Sequence, residues 1–226
     1  MGGDSSRFKL LTRWLMVSSI TRKLREDFVE KVWRTGGFVV NTNIKKGRQY
    51  YNQSGSGACI FGLASAMKGI HLGEEMWLQD TVYALPEDML LYYKLYLDRN
   101  RIAINMDVSF FHLDAGATLV NTDKYINNIY ALARNGVIFW HRFIYLCGDK
   151  RWLSSRCFAR RIFCSSFFAL LKGIKKADFK IFKTYLKTYT NGFNYIRSDK
   201  YRQLNKVLYK RTILFRGNLS SLAPVV

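Results

Sequence analysis

Two adjacent carboxylates, Glu87 and Asp88, follow Pro86 directly and precede a long apolar run. Proline suits the first turn of a helix, and acids placed just after it interact favourably with the positive end of the helix dipole. The same pair could also do chemistry, because a carboxylate held at a helix start can take a proton from a hydroxyl group. Spacing alone favours the helix-start interpretation over a catalytic one.

A second pair of polar residues strengthens the catalytic interpretation. The apolar spacing predicts a helix that begins at Asp88, and "RIAINM" predicts a strand that turns back beside it. His112 and Asp114, just past that strand, then fall near the two carboxylates. Four polar side chains on two loops at one end of an αβ unit form a plausible site. The alternative is that His112 only hydrogen-bonds a loop carbonyl.

The elements that must position these residues follow from hydrophobic periodicity and glycine breaks. "SGSGACIF" predicts a turn at Gly55 and Gly57 that enters a buried strand, Ala58–Phe61, and its spacing does not match a dinucleotide fingerprint. A strand is also predicted after the glycine pair Gly36–Gly37. The predicted helices are Arg7–Trp33, Asp88–Asp98, Thr122–Leu146 with a kink near Gly136, Ser154–Lys175, Asp178–Tyr189 and Ser198–Leu214.

Charge is distributed unevenly along the 226 residues, whose formal net charge is +20. Residues 139–226 carry 19 Lys and Arg against three acids. Such a basic, aromatic segment predicts an anionic partner: a membrane surface, nucleic acid or a phosphorylated substrate. The four cysteines show no metal-ligand spacing, which indicates reduced cytosolic thiols. No apolar run approaches the length of a transmembrane helix.

The ordered series "GACIF", "EEMWLQDTVYALPEDMLLYYKLYL" and "RIAINMDVSFFHLDAGAT" resembles the acceptor-side half of a family 2 glycosyltransferase of GT-A fold. The similarity covers Thr35–Val120. It implies an α/β fold: the C-terminal half of a Rossmann-like GT-A domain at residues 1–135, then a basic amphipathic helical extension at residues 136–226. It also implies an inverting enzyme of surface polysaccharide synthesis, located in the cytoplasm or peripherally at the inner face of the plasma membrane.

The resemblance implies roles for individual residues. Asp88 matches the general base that deprotonates an acceptor hydroxyl, and Glu87 matches a neighbour that holds the acceptor or orients the base. His112 matches a residue that helps ligate Mg²⁺ or Mn²⁺ on the donor diphosphate in some relatives. The implied partners are a nucleotide-sugar donor and a glycan or lipid-linked acceptor. The predicted acceptor-binding residues are Gly55, Gly57, Trp77 and Asp114, although Trp77 also fits a buried anchor.

Two departures from the family pattern limit what this chain is expected to do alone. No Asp-x-Asp occurs in the sequence, and no nucleotide-binding βαβ unit precedes the glycine-rich stretch. The start "MGG" resembles the point just after that motif, which predicts a truncated or split chain whose donor site lies elsewhere.

Two alternatives without catalysis remain open. One is a nucleic-acid-binding module that uses Lys, Arg and stacked aromatic rings, although no recognised nucleic-acid-binding motif occurs and no specific nucleic acid is expected. The other is a peripheral membrane module. A glycosidase fits less well, because no second, separated carboxylate partner is evident.

Overall fold

The computed structural model describes residues 19–22, 28–45, 47, 49–55, 62–81, 86–104 and 122–204. Within these ranges the protein is mixed and mostly helical, with a few short strands. The predicted combination of helices and strands is confirmed at this coarse level.

Three strands form one small sheet: β1 (Ser19–Arg22), β2 (Glu30–Val32) and β3 (Phe38–Asn41). β3 is the central strand, parallel to β1 and antiparallel to β2. The strand predicted after the glycine pair is therefore present, but the helix predicted over Arg7–Trp33 is wrong where the structure describes it. Pairing with β3 satisfies the backbone of both neighbours, and this outweighs the helical spacing of their apolar residues.

The turn between β2 and β3 confirms the predicted glycine break. Gly36 has φ +70, in the left-handed region that favours glycine. A Cβ at this position would also lie only 2.9 Å from the Cβ of Trp140. The turn is therefore pressed against the helical part of the molecule, and only glycine fits there.

A second antiparallel pair joins β4 (Tyr50–Tyr51) to β5 (Ala103–Ile104). Asn52 extends this pairing by donating its backbone N–H to the Ile102 carbonyl at 2.9 Å. The strand predicted from "RIAINM" is thus confirmed in its first part. The rest of it, and the strand predicted at 58–61, lie outside the described residues.

The helix predicted after Pro86 is confirmed as α2 (Glu87–Leu97), which follows α1 (Ala64–Lys68) and two short 3₁₀ turns. It ends in a Schellman turn, in which the Asn100 N–H donates to the Leu95 carbonyl at 3.0 Å. Arg99 has φ 66 in this turn. The turn predicted after α2 is therefore present.

The long C-terminal helices begin with α3 (Thr122–Phe139), which continues directly into a π-helix (Trp140–Tyr145). α3 continues through Gly136, where the sequence predicts a kink, without a break in the helix. The irregularity lies at the π-helix instead, where the Leu146 N–H donates to the carbonyl five residues earlier, on His141, at 3.0 Å.

Three further helices follow: α4 (Arg151–Lys176), α5 (Lys180–Arg197) and the short α6 (Asp199–Arg202). The first two confirm the helices predicted at Ser154–Lys175 and Asp178–Tyr189 and extend them. Within the described residues, only the first turn of the helix predicted at Ser198–Leu214 is present, because α6 ends at Arg202 and residues 203 and 204 are not helical. The part of the predicted last helix beyond residue 204 lies outside the described residues. Among the helices that the structure describes, none is both long enough and apolar enough to cross a membrane.

α5 packs against both α3 and α4. The approach to α3 is close: a Cβ on Gly192 would lie 2.8 Å from the Cβ of Val137. One hydrophobic cluster includes buried residues from the sheet, α2 and the C-terminal helices, among them Val32, Trp77, Leu90, Tyr93, Val137, Phe143, Phe158 and Tyr189. The predicted division at 135/136 falls inside α3, and this cluster draws on residues from both sides of it.

Candidate functional site

The carboxylate pair lies in the first turn of α2, where the sequence predicts it. Glu87 is exposed and Asp88 is half-buried. Partial desolvation raises the pKa of Glu87, and the neighbouring charge of Asp88 raises it further. The geometry satisfies the helix-start interpretation, and it also leaves both carboxylates reachable by a substrate.

α2 is fixed firmly behind this turn. Tyr93 packs its ring against Phe139 and Phe143, with centroid distances of 5.5 and 6.5 Å. Lys94, in the same turn, is buried and donates to a Glu75 carboxylate oxygen at 3.1 Å. These contacts hold the helix by its inner face, so the carboxylates project from a rigid support.

Gly55 is brought to the same helix. A Cβ on Gly55 would lie 3.0 Å from the ring of Tyr92, a tight contact, so the backbone at Gly55 approaches this helix closely. Tyr92 follows Asp88 by four residues, which places the two on one helix face, one turn apart. The predicted acceptor-side glycine and the predicted base therefore lie along one surface of α2.

Buried polar groups support the segment that leads to Gly55. The Asn52 side chain accepts the Glu30 N–H at 2.8 Å, and the Gln53 side chain accepts the Val32 N–H at 3.0 Å. These two bonds tie the segment to β2. Burial raises the pKa of Glu30 at this junction, although a hydrogen bond with Ser54 opposes the shift.

Trp77, predicted as an acceptor contact, is 0% exposed and belongs to the core. Its indole N–H donates to Glu75 at 2.7 Å. In this position the ring offers no face to a sugar, which fits the alternative that Trp77 is a buried anchor.

The sequence interpretation missed an ion cluster around Glu75, which is 1% exposed. Its carboxylate accepts from Lys94, from the Trp77 indole and from two guanidinium nitrogens of Arg142, at 2.8 and 3.1 Å. One buried carboxylate therefore forms ion pairs with two buried cations. The cluster connects the 71–81 loop to α2 and to the π-helix.

A third missed cation, Arg134 of α3, holds the end of the same loop. It donates to the Trp77 carbonyl at 2.9 Å and to Asp80 at 2.8 Å. Its guanidinium lies over the Tyr195 ring of α5, 4.7 Å from the centroid. Arg134 and Arg142 thus both hold the 71–81 loop, which precedes the carboxylate pair.

A sequence signal for these residues did exist. Lys94 interrupts the apolar face of α2, and Arg142 lies inside the apolar run "VIFWHRFIY". A lone cation within a buried helical stretch needs a buried anion, which directs attention to the acids of the preceding loop.

Three predicted site residues, Gly57, His112 and Asp114, lie outside the described residues. Across the ranges that the structure describes, no three His, Cys, Asp or Glu side chains are grouped so that they could hold a metal ion. His112, the residue implied as a ligand for Mg²⁺ or Mn²⁺, is not within those ranges. Cys147, Cys157 and Cys164 are free thiols.

Comparison of the chain with models of protein families, with characterised proteins and with solved structures gave no significant match. The family resemblance therefore rests on the residues and their order alone.

Proposed function

We propose that this chain supplies the acceptor side of an inverting glycosyltransferase of family 2 type and GT-A fold. It would transfer a sugar from a nucleotide-sugar donor to a glycan or a lipid-linked acceptor in surface polysaccharide synthesis. Asp88 is the general base, and Glu87 positions the acceptor or the base.

The observation that carries this proposal is the arrangement along α2. An accessible pair of carboxylates begins a helix whose inner face is locked by Tyr93 and Lys94. Gly55 packs one turn away on the face that carries Asp88. A base must be held within hydrogen-bond reach of the proton that it removes, and a rigid helix start beside a glycine-lined surface meets that need.

In the proposed reaction Asp88 accepts the proton of an acceptor hydroxyl as its oxygen attacks the anomeric carbon. The bond from that carbon to the nucleoside diphosphate breaks at the same time, so one displacement inverts the configuration. One base in place is sufficient for this step. The base role goes to Asp88 by the resemblance, in which Asp88 matches the general base and Glu87 its neighbour.

Donor binding is the part that we do not assign to this chain. The sequence contains no Asp-x-Asp with which to hold a metal-bound diphosphate. We therefore place the donor site on another segment or a second polypeptide. A divalent cation there would neutralise the leaving phosphate.

The decisive experiment is Asp88→Asn in a transfer assay, with a donor-binding half fused upstream or added in trans. Loss of a general base should lower the rate by about 10²- to 10⁴-fold while the circular dichroism spectrum stays unchanged. Asp98→Asn is the matched control, because Asp98 is an exposed acid at the other end of α2. Full turnover by the Asp88 variant would refute the assignment.

A separate measurement tests the division of labour. We expect calorimetry of the chain alone with Mn²⁺ and a panel of UDP- and GDP-sugars to show no binding. Micromolar affinity for any of these donors would mean that the chain holds its own donor site, and the acceptor-side assignment would then be wrong.

A further inference from the structure

The outer face of α4 carries a row of exposed apolar side chains. Trp152 is 62% exposed, Phe163 69% and Ile174 61%, and Phe167 and Leu171 lie between the last two. Phe163, Phe167, Leu171 and Ile174 follow one another at intervals of four, four and three residues, and Trp152 lies eleven residues, or about three helical turns, before Phe163. All five therefore lie on one side of the helix. Arg156 and Ala159 occupy the same side between Trp152 and Phe163. The row extends for about 33 Å along the axis. We call these five residues the outer stripe.

The opposite face of α4 accounts for the packing of this helix in the fold. Ser154, Phe158, Ser165 and Ala169 are buried there. Within the outer stripe Phe163 stacks on Phe167 with centroids 5.9 Å apart, and the neighbouring Arg156 of the same helix lies over the Trp152 ring. An apolar row of this length is more than the scattered exposed residues of an ordinary surface.

The surroundings of the outer stripe are strongly cationic. Between residues 151 and 198 the sequence has eleven Lys and Arg and a single acid, Asp178. That acid already accepts the Lys180 N–H at the start of α5, at 2.8 Å. The cations nearest the end of α4 and the start of α5 are all exposed: Lys172, Lys175, Lys176, Lys180 and Lys183.

The chemistry of this surface selects its occupant. A second copy of the chain would bring two strongly cationic surfaces together, which like charges oppose. Single-stranded nucleic acid needs separate aromatic faces on which bases can stack, whereas two of these rings stack on each other and two stripe residues are aliphatic. Exposed Trp, Phe, Leu and Ile beside lysines are typical of a helix that lies in a lipid interface.

We propose that the outer stripe of α4 docks the protein on an anionic bilayer, with the apolar side chains inserted among the lipids and the lysines over the headgroups. Each cation near such a surface adds to the attraction, so a few suffice for reversible binding. This inference is independent of the proposed transferase activity, although it would bring a lipid-linked acceptor to the protein.

The test is sedimentation of the full chain with vesicles of phosphatidylcholine alone and of phosphatidylcholine mixed with phosphatidylglycerol. We expect binding to the anionic vesicles only, and release between about 0.1 M and about 1 M NaCl, as the Debye length falls from about 10 to about 3 Å. Binding to both kinds of vesicle alike, or to neither, would overturn the proposal.

Variants separate the outer stripe from general charge. Phe163→Ser with Phe167→Ser should weaken partitioning by about tenfold or more, because each exposed ring then loses its burial in lipid. Leu63→Ser is the control, since Leu63 is 74% exposed but lies before α1. Circular dichroism checks that the variants fold. Unchanged vesicle binding by the stripe variant would refute the proposal.

Two further measurements exclude the other occupants. Analytical ultracentrifugation of the wild type and the stripe variant tests for a dimer, and a gel shift with a single-stranded oligonucleotide tests for nucleic acid. We expect the oligomeric state and the oligonucleotide binding to be the same for the wild type and the stripe variant. A dimer or an oligonucleotide complex that the stripe variant loses would assign the surface to that partner instead.

Discussion

Glu75→Gln tests the claim that one buried carboxylate holds together the loop, α2 and the π-helix. The substitution keeps the side-chain volume and removes only the charge. Lys94 and Arg142 then remain in the interior without their anion. The amide oxygen can still accept hydrogen bonds, but the amide nitrogen is itself a donor and would face the donors that the second carboxylate oxygen now serves.

The expected loss follows from the burial of all three groups. Each of the partners is less than a tenth exposed, so solvent screens their interaction weakly. Removing one partner of a buried pair costs about 3–5 kcal/mol. For a chain of this size the melting temperature should fall by about 6–20 °C, at roughly 2–4 °C per kcal/mol.

Chemical and thermal denaturation, followed by circular dichroism, measure this loss. The adjacent Glu74→Gln is the matched control, because Glu74 is exposed and should change stability by less than about 0.5 kcal/mol. A double-mutant cycle with Lys94→Met should give a coupling of about 0.5–3 kcal/mol. Equal stabilities for the Glu75 and Glu74 variants, or additive costs in the cycle, would refute the reasoning.

The helix contacts and one histidine give two further predictions. Gly192→Ala should destabilise the fold by about 1–3 kcal/mol through the clash with Val137, whereas Gly136→Ala, whose Cβ meets only an Arg161 nitrogen at 3.6 Å, should be neutral or stabilising by up to about 1 kcal/mol. Urea titrations that rank them in reverse would contradict the packing. Burial and nearby Arg151 lower the pKa of His141, so the folded state resists its protonation and stability should fall as pH drops below about 6.5. His141→Gln should flatten that part of the profile, and an unchanged slope would refute the assignment.

The spacing of apolar residues was sufficient to predict the elements whose packing follows that spacing. α2, α3, α4 and α5 all show helical spacing, and the structure contains all four. β1 and β2 were missed because their conformation depends on pairing with β3, a contact that no local pattern encodes. The π-helix was also missed, because its apolar residues are like those of any buried helix.

The candidate site divides in the same way. Glu87 and Asp88 were located by a local signal, the proline before an apolar run, and they begin α2 as that signal implies. Glu75 gave no local signal, because its neighbour Glu74 is the same residue type and is exposed. Which of two adjacent acids enters the core depends on Lys94 and Arg142, which lie 19 and 67 residues away in sequence.

The π-helix fixes how many residues the chain can contain at this point. Its wider turn brings Trp140, Arg142, Phe143 and Ile144 all into the interior. A π-helical turn contains about one residue more than an α-helical turn, so deleting one residue here would restore α-helical geometry and leave the following chain in nearly the same orientation. The regular α-helix could not direct all four of these side chains inward, so the pairing of Arg142 with Glu75 would be at risk. Length changes are therefore better tolerated in an exposed turn such as that at Gly47, where a Cβ would meet nothing within 4 Å.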